Sequence, residues 1–197
     1  MIRRALPQDR SAVTAAVAAA FAEDPAWAFI FGDEYERLVH SFVVVLFDLR
    51  VRSYNVWVTD ELTAVAMWDG PLESERASGY AKDVWASYRA IAGDEAFKRL
   101  AVYNEAVAAH SPAEPHWYLG VLATHPERRR EGLATAVLAP VLDEADQAGI
   151  ACCLETSTAE NRRFYERRGF TATADVVVPG GPPTWWLQRA PTTRGRP

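Results

Sequence analysis

The sequence predicts a single α/β (α+β) domain, and three observations carry that prediction. The apolar, strand-like run 116–123 passes through a short arginine-rich loop into a long helical pattern that ends near Ala148. Residues 55–59 and 63–68 are short Val-, Trp- and Thr-rich segments with a tight connection between them, as in a hairpin. A chain of 197 residues with 49% hydrophobic content suits one globular domain with a substantial core.

In chain order, residues 2–6 form a first strand, and Pro7-Gln8-Asp9 opens a helix with Val13, Val17 and Phe21 on one face, ended by Asp24-Pro25. Trp27, Phe29, Ile30 and Phe31 then crowd a short connection. Connections are usually polar, so this one walls a pocket or fills a buried corner under the flanking helices. A second helix covers 33–50. After the hairpin and Gly70-Pro71, residues 72–109 turn helical, with Tyr80, Val84, Tyr88 and Ile91 at helical spacing and Gly93-Asp94 dividing two helices. The linker 111–115 leads to strand 116–123, which ends at Thr124-His125-Pro126. The helix after the arginines is bent by Pro140 and stopped by Gly149. Strand 150–155, a short helix 161–168 stopped by Gly169, and strands 170–178 and 184–189 around Pro179-Gly180-Gly181-Pro182 complete the domain, 1–189, with 190–197 as a flexible tail.

A net charge of -5 and a pI near 5.4 argue against a nucleic-acid partner, which would call for a basic stripe. The only cysteines, Cys152 and Cys153, are neighbours on a strand and point to opposite faces, so a disulfide between them is not expected. No metal-ligand spacing occurs. Met1-Ile2-Arg3-Arg4 does not resemble a signal peptide, and the apolar stretch 12–22 is too short to span a bilayer. The expectation is a cytoplasmic protein without a membrane partner; the oligomeric state stays open, a homodimer included.

The most informative stretch is Arg129-Arg130-Glu131-Gly132-Leu133-Ala134. Helix N-termini carry unpaired N–H groups and partial positive charge, so they prefer acidic side chains, yet Arg128, Arg129 and Arg130 crowd this one. A phosphate held by backbone N–H groups, with Gly132 and Ala134 small enough to let it approach, resolves the conflict. The spacing matches neither the nucleoside-triphosphate loop nor the dinucleotide fingerprint.

This stretch resembles the Gln/Arg-x-x-Gly-x-Gly/Ala motif of the GNAT superfamily of acyl-CoA N-acyltransferases. A second block, Leu154-Glu155-Thr156-Ser157 followed by Asn161-Arg162-Arg163-Phe164-Tyr165-Glu166-Arg167-Arg168-Gly169-Phe170, resembles the same superfamily's strand, helix and Tyr-x-x-x-Gly-Phe signature. Within it, Glu114-Pro115, Trp117, the Leu-Glu-Thr-Ser run, Thr173-Ala174-Asp175-Val176 and Thr184-Trp185 are most similar to the puromycin N-acetyltransferase group. The likeness is dense after Glu114 and looser before it.

The resemblance implies the GNAT fold. This is a mixed, mostly antiparallel sheet of six to seven strands flanked by helices, splayed between 116–123 and 150–155 to admit the pantetheine arm. Residues 1–115 then serve mainly the acceptor and 116–189 the acyl-CoA. The implied activity is transfer of an acetyl group from acetyl-CoA, as co-substrate and without metal, to a primary amine of a small molecule, an aminonucleoside or antibiotic such as puromycin. The alternatives are a peptide or protein amine, or a non-catalytic acyl-CoA-binding or sensing domain. Carried over by position, backbone contacts to the arm fall at Leu122 and Thr124, and pyrophosphate contacts at Arg129, Arg130, Gly132, Leu133 and Ala134, with Thr135 as a hydroxyl donor. Arg130 and Ala134 depart from the glycines commonest at those places.

Amine acylation needs a neutral nucleophile, a polarised carbonyl and a proton for the departing thiolate. Tyr165 is the candidate acid, since its phenol, with a reference pKa of about 10, carries a proton at neutral pH. The backbone N–H of Leu122 or Thr124 polarises the carbonyl in the implied mechanism. Asn161 is read as a coenzyme ligand or as a helix N-cap. Some family members carry a base at the position of Tyr118, which is itself a poor one. Glu155, acting through water, is the preferred base, with Glu114 and His116 behind it. An α-amino acceptor, with a pKa of about 7.7 to 8.0, is partly neutral at pH 7, whereas a lysine at about 10.4 is not. A weak base therefore favours amino-acyl small molecules. Trp27, Phe29, Phe31, Trp68, Tyr80 and Trp85 are candidate acceptor contacts or core.

Overall fold

The computed structural model describes residues 1–71 and 79–192. One seven-stranded sheet runs through it: β1 (Ile2–Arg4), β2 (Val56–Thr59), β3 (Ala64–Asp69), β4 (His116–Thr124), β5 (Ala151–Thr156), β6 (Thr171–Val176) and β7 (Thr184–Arg189), in the spatial order β1-β2-β3-β4-β5-β7-β6. Only β4 and β5 pair parallel; every other neighbour is antiparallel. Helices α1 (Arg10–Phe21), α2 (Pro25–Phe31), α3 (Tyr35–Val51) and α4 (Gly79–Ala108) cover one face, and α5 (Leu133–Ala148) and α6 (Ala159–Glu166) the other. The sheet and its covering helices match the expected architecture.

Alternation along the strands feeds two cores. On β3, Val65 and Met67 pack with Val13, Val17, Phe31, Leu38 and Phe47 under the first four helices. Ala64, Ala66 and Trp68 face the other way, onto Val137, Leu138 and Val141 of α5. Strand β4 changes sides part-way along. Met67 pairs with Val121 and Trp68 with Leu119, so Gly120 is an extra residue in the ladder, a β-bulge. Before it, Trp117 and Leu119 join the α5 core; after it, Val121 and Ala123 join the α1–α4 core.

Strands β4 and β5 pair at only three places, His116 with Ala151, Trp117 with Cys152 and Tyr118 with Cys153. Beyond Tyr118 the two strands part, while β4 runs on to Thr124 and β5 to Thr156. The splay implied by the family resemblance is therefore present, and it begins one residue before the bulge at Gly120.

Several local expectations change. The aromatic connection after Asp24 is the helix α2: Pro25 takes its first position and the Asp24 carboxylate accepts from the N–H groups of Ala26 (3.0 Å) and Trp27 (3.1 Å). Asp24-Pro25 thus ends one helix and starts the next. Gly93, at φ +77°, breaks α4 at the predicted place; the start of that predicted helix, 72–78, lies outside the described residues. Helix α5 continues through Pro140. The predicted tail is tied down at its beginning, because Asp146 of α5 accepts from the N–H (2.8 Å) and hydroxyl (2.6 Å) of Thr192. Asp146 also pairs with Arg189 at the end of β7 (2.7 Å).

Candidate active site

A cavity of about 290 Å³ opens under the α1–α4 face where β4 and β5 diverge. Its apolar walls come from Trp27 and Ile30 of α2, Phe42 and Leu46 of α3, Trp85 and Leu100 of α4, and Trp186 of β7. Its polar floor holds Glu155, Tyr118, Arg50, Asp69 and Tyr103. Of the aromatic residues singled out in the sequence, Trp27 and Trp85 line this cavity. Phe31 is wholly within the α1–α4 core, and Trp68 lies in the core on the opposite face of the sheet. Phe29 packs against the core without lining the cavity, and Tyr80 is exposed beneath the guanidinium of Arg52.

Glu155 sits on β5 two residues past the last rung shared with β4, and its side chain points to the cavity because Cys152 and Leu154 take the α5 side. The Tyr118 hydroxyl donates to Glu155 Oε2 at 2.7 Å. The Tyr118 ring is stacked on Trp186, with centroids 6.1 Å apart and planes at 12°, and Trp186 is the residue paired with Glu155 across β5 and β7. Burial pushes the Glu155 carboxyl up to about 7, against the opposing pull of the Tyr118 hydrogen bond; the charge of Asp24 adds to the rise and that of Arg50 reduces it. Burial, and then the Glu155 charge, also raises the Tyr118 phenol.

Beside this pair, Arg50 of α3 donates to Asp69 Oδ2 at the end of β3 (2.8 Å) and to the Leu46 carbonyl (3.1 Å). Its guanidinium lies against the bulge so closely that a Cβ at Gly120 would stand 2.6 Å from Nη2. Nothing in the local sequence marks these residues: Arg50 looks like the basic end of a helix, and Asp69 like the polar end of a hairpin.

The two weaker base candidates are placed elsewhere. His116 begins β4, with Nδ1 on the Glu114 carbonyl (2.8 Å) and Nε2 on Ser111 Oγ (3.1 Å), and Glu114 is exposed. Neither lines the cavity. Tyr165 stands on α6, on the other side of the sheet from the cavity, edge-on to Phe164 and Phe170. Burial raises its phenol, and the negative charge of Glu155 raises it further. Among the described residues its hydroxyl makes no hydrogen bond.

The segment expected to cradle an anion is a loop followed by a helix start. Gly132, at φ +80°, precedes α5, and among the described residues no side chain caps that helix, so the N–H groups of its first turn have no capping partner there. Open space surrounds Gly132, and Arg130 adopts a left-handed φ of +69°. The arginine crowding has a partly different cause from the one inferred from sequence. Arg128 pairs with Glu131 (2.9 Å) and Glu61, and Arg129 donates to the Ala20 carbonyl at the end of α1 (3.1 Å). Among the described residues Arg130 has no ion pair. A further cation arrives from α6: Arg168, over the Phe164 ring, donates to the hydroxyl of Thr135. Leu133 and Ala134 open α5 at this site, Leu122 and Thr124 flank the diverging edge of β4, and Thr124 Oγ1 is buried without a partner among the described residues. Asn161 is exposed in the first turn of α6 and is not its cap; Thr158 is, accepting from the Asn161 N–H at 3.2 Å.

An opened parallel pair of strands thus stands next to a glycine-led helix start. Residues 96–170 match the sequence profile of the Acetyltransferase (GNAT) family. The fold is shared with a structure from Corynebacterium glutamicum described as histone acetyltransferase HPA2 and related acetyltransferase (TM-score 0.70, 22% identity, 100% of this chain and 98% of that one). It is shared also with arylalkylamine N-acetyltransferase 2 from Aedes aegypti (0.65, 12%, 98% and 99%) and the ribosomal-protein-S18-alanine N-acetyltransferase from Escherichia coli (0.54, 15%, 100% and 96%). The fold is the GNAT fold, and the profile match covers only the stretch from the second half of α4 to just past the end of α6. Among the described residues no group of three or more His, Cys, Asp or Glu is placed to hold a metal ion, and no single helix is long and apolar enough to cross a membrane.

Proposed function

We propose that this chain is an acetyl-CoA-dependent N-acetyltransferase acting on a primary amine of a small molecule, with the aminonucleoside puromycin as the first acceptor to try. The observation that carries this reading is the splay beyond Tyr118, which has a carboxylate, Glu155, on its cavity side and a phenol, Tyr165, on the other. The residues present fit the coenzyme. The first turn of α5 offers uncapped N–H groups, Gly132 leaves room for a close approach, and Arg130 and Arg168 add positive charge. Leu133, Ala134 and Thr135 belong to the same cradle, Leu122 and Thr124 offer backbone groups along the unpaired edge of β4, and Asn161 stands at the α6 side.

Bound acetyl-CoA supplies an acetyl group activated as a thioester. Glu155 then takes a proton from the acceptor nitrogen, for which a carboxyl near neutrality is matched to an operating pH around 7. Tyr165 Oη gives a proton to the departing sulfur. In water a phenol is a weaker acid than a thiol, and burial raises the Tyr165 phenol further, so this transfer is uphill by itself and is driven by its coupling to cleavage of the thioester and formation of the more stable amide. The proton balance is then restored through solvent from Glu155 to Tyr165.

The cavity argues for a small or partly inserted acceptor. Its volume of about 290 Å³ is that of about ten water-sized groups, so it takes an amine and its immediate aromatic or apolar body. The resemblance of the second half of the chain to the puromycin N-acetyltransferase group supports an amino-acyl amine. The test is thiol release from acetyl-CoA with a panel holding puromycin, arylalkylamines, a histone-tail peptide and an alanine-initiated peptide. Turnover with a small amine, reduced about a hundredfold by Tyr165→Phe, supports the reading. Coenzyme binding without turnover of any amine would leave a non-catalytic acyl-CoA-binding domain, and turnover of the peptides alone would move the acceptor class to proteins.

A further inference from the structure

Tyr118 occupies the point where two structural demands meet. It is the last residue of β4 paired with β5, so its backbone is held by the ladder while everything after it is released. Its ring is fixed by stacking on Trp186, whose own backbone is paired with Glu155. The hydroxyl at the end of this clamped ring reaches Glu155 Oε2 at 2.7 Å. A glutamate side chain has three rotatable bonds and, at the mouth of a cavity, several rotamers open to it; here one oxygen is tethered to a group with almost no freedom.

We propose that Tyr118 is the positioning residue for the proton-accepting step: by tethering Oε2 of Glu155 it leaves Oε1 as the single oxygen presented for the acceptor's proton. The inference rests on the reading of Glu155 as the base. The charged and titratable groups facing Glu155 are Arg50 of α3 with Asp69 of β3, Asp24 before α2, Tyr103 of α4 and Tyr165 of α6. None of these is the side chain bonded to the carboxylate; Tyr118 is, and its hydroxyl stabilises the ionised form that accepts the proton. No atom of Tyr118 leaves or arrives in the reaction; the amine proton ends on Glu155.

The experiment compares Tyr118→Phe, Glu155→Gln and the double variant by two readouts. The first is 13C NMR of protein labelled at glutamate Cδ, in which the resonance missing from Glu155→Gln belongs to Glu155. The second is the pH profile of kcat/KM with puromycin or whichever amine the thiol-release panel identifies. In Tyr118→Phe the Glu155 titration and the acidic limb should both move upward by about one pH unit, the scale of one hydrogen bond to a charged group shared with cavity water. Rates below pH 7 should fall about tenfold and recover above pH 8, while acetyl-CoA affinity stays within about twofold. In the Glu155→Gln background, losing the hydroxyl should change the residual rate by less than about twofold. Should Tyr118→Phe fail to fold, 3-fluorotyrosine at position 118 keeps the shape with a more acidic phenol and must move the same titration downward. An unmoved titration in either variant overturns the proposal while leaving Glu155 as the base. Wild-type turnover by Glu155→Gln overturns the assignment of the base itself, and the proposal with it.

Discussion

Glu155→Gln should stabilise the protein at the pH where it removes activity. Burial raises the Glu155 carboxyl from an ordinary 4.5 to about 7, so between those limits the folded protein holds a proton that the unfolded chain has released. Stability from this group is full below about pH 4.5, declines as pH rises through 7, and is flat above. A displacement from 4.5 to about 7 corresponds to a loss of about 3 kcal/mol at 1.36 kcal/mol per pH unit. That figure is a ceiling, because the carboxylate borders the cavity and keeps some contact with water. Glutamine keeps the shape and still accepts from Tyr118 but cannot ionise. Urea unfolding of both proteins at pH 5, 6, 7 and 8 isolates the effect, since all other titrations cancel in the difference. The stability difference should be about 1 kcal/mol or less at pH 5 and grow in favour of the glutamine protein, towards at most about 3 kcal/mol at pH 8. A difference that stays flat, or grows in favour of the wild type, refutes the argument that Glu155 is held neutral by burial.

Gly120→Ala places a Cβ 2.6 Å from Arg50 Nη2 and should displace the guanidinium from Asp69. The expected cost is about 1–3 kcal/mol in urea unfolding, with a raised KM for the amine and unchanged acetyl-CoA affinity. Asp146→Asn strips the carboxylate from Arg189, whose side chain is only 9% exposed, and should cost about 3–5 kcal/mol at pH 7. Arg189, and then Thr192, hold the Asp146 carboxyl well below its usual range, so the wild-type advantage is present above about pH 4 and fades on acidification below it, which unfolding at pH 3 and pH 7 would show. Gly132→Ala meets open space but a left-handed φ of +80°, a backbone cost of about 1–2 kcal/mol. Calorimetry should show acetyl-CoA affinity reduced about tenfold, and an undiminished affinity would remove the cradle from the binding site.

The loop and helix start proposed to hold the acyl carrier were legible as structure because they are contiguous in sequence. A strand, a glycine-led turn and a helix start lie within 20 residues, and the glycine that must adopt a left-handed φ is visible as a letter. The cavity was not, because it is assembled at long range. Arg50, Asp69, Tyr103, Tyr118 and Glu155 come from five elements, and while Glu155 and Tyr118 stood out through the family resemblance, Arg50, Asp69 and Tyr103 carry no local pattern that departs from an ordinary surface or core residue. Two local rules also gave way to context. Asp24-Pro25 is an ordinary helix stop that here also caps the following helix, so an aromatic run too short to show a period was read as a connection. Strict alternation along β4 fails at Gly120, where the bulge turns the remainder of the strand over. The arginines pointed to an anion, yet two of the three are engaged by protein groups, while Arg168, 38 residues beyond Arg130, reaches the same helix start.

The position of Glu155 is itself an argument about chemistry. It stands opposite Trp186 in the interior of the sheet, where an aromatic or β-branched residue would pair better and bury without cost. The fold gains nothing visible from a carboxylate there, since its bonded partner is a tyrosine that stacking already holds in place. Exposed candidates such as Glu114 carry no such cost, and none is placed at the splay. A residue that breaks the local rule for its strand, strains the stability of the sheet around neutral pH and opens onto a cavity fits a site shaped by reaction rather than by folding. The same reasoning separates Glu155 from Asp146, which is equally recessed but fully paired, and whose ionised form stabilises the fold instead of opposing it.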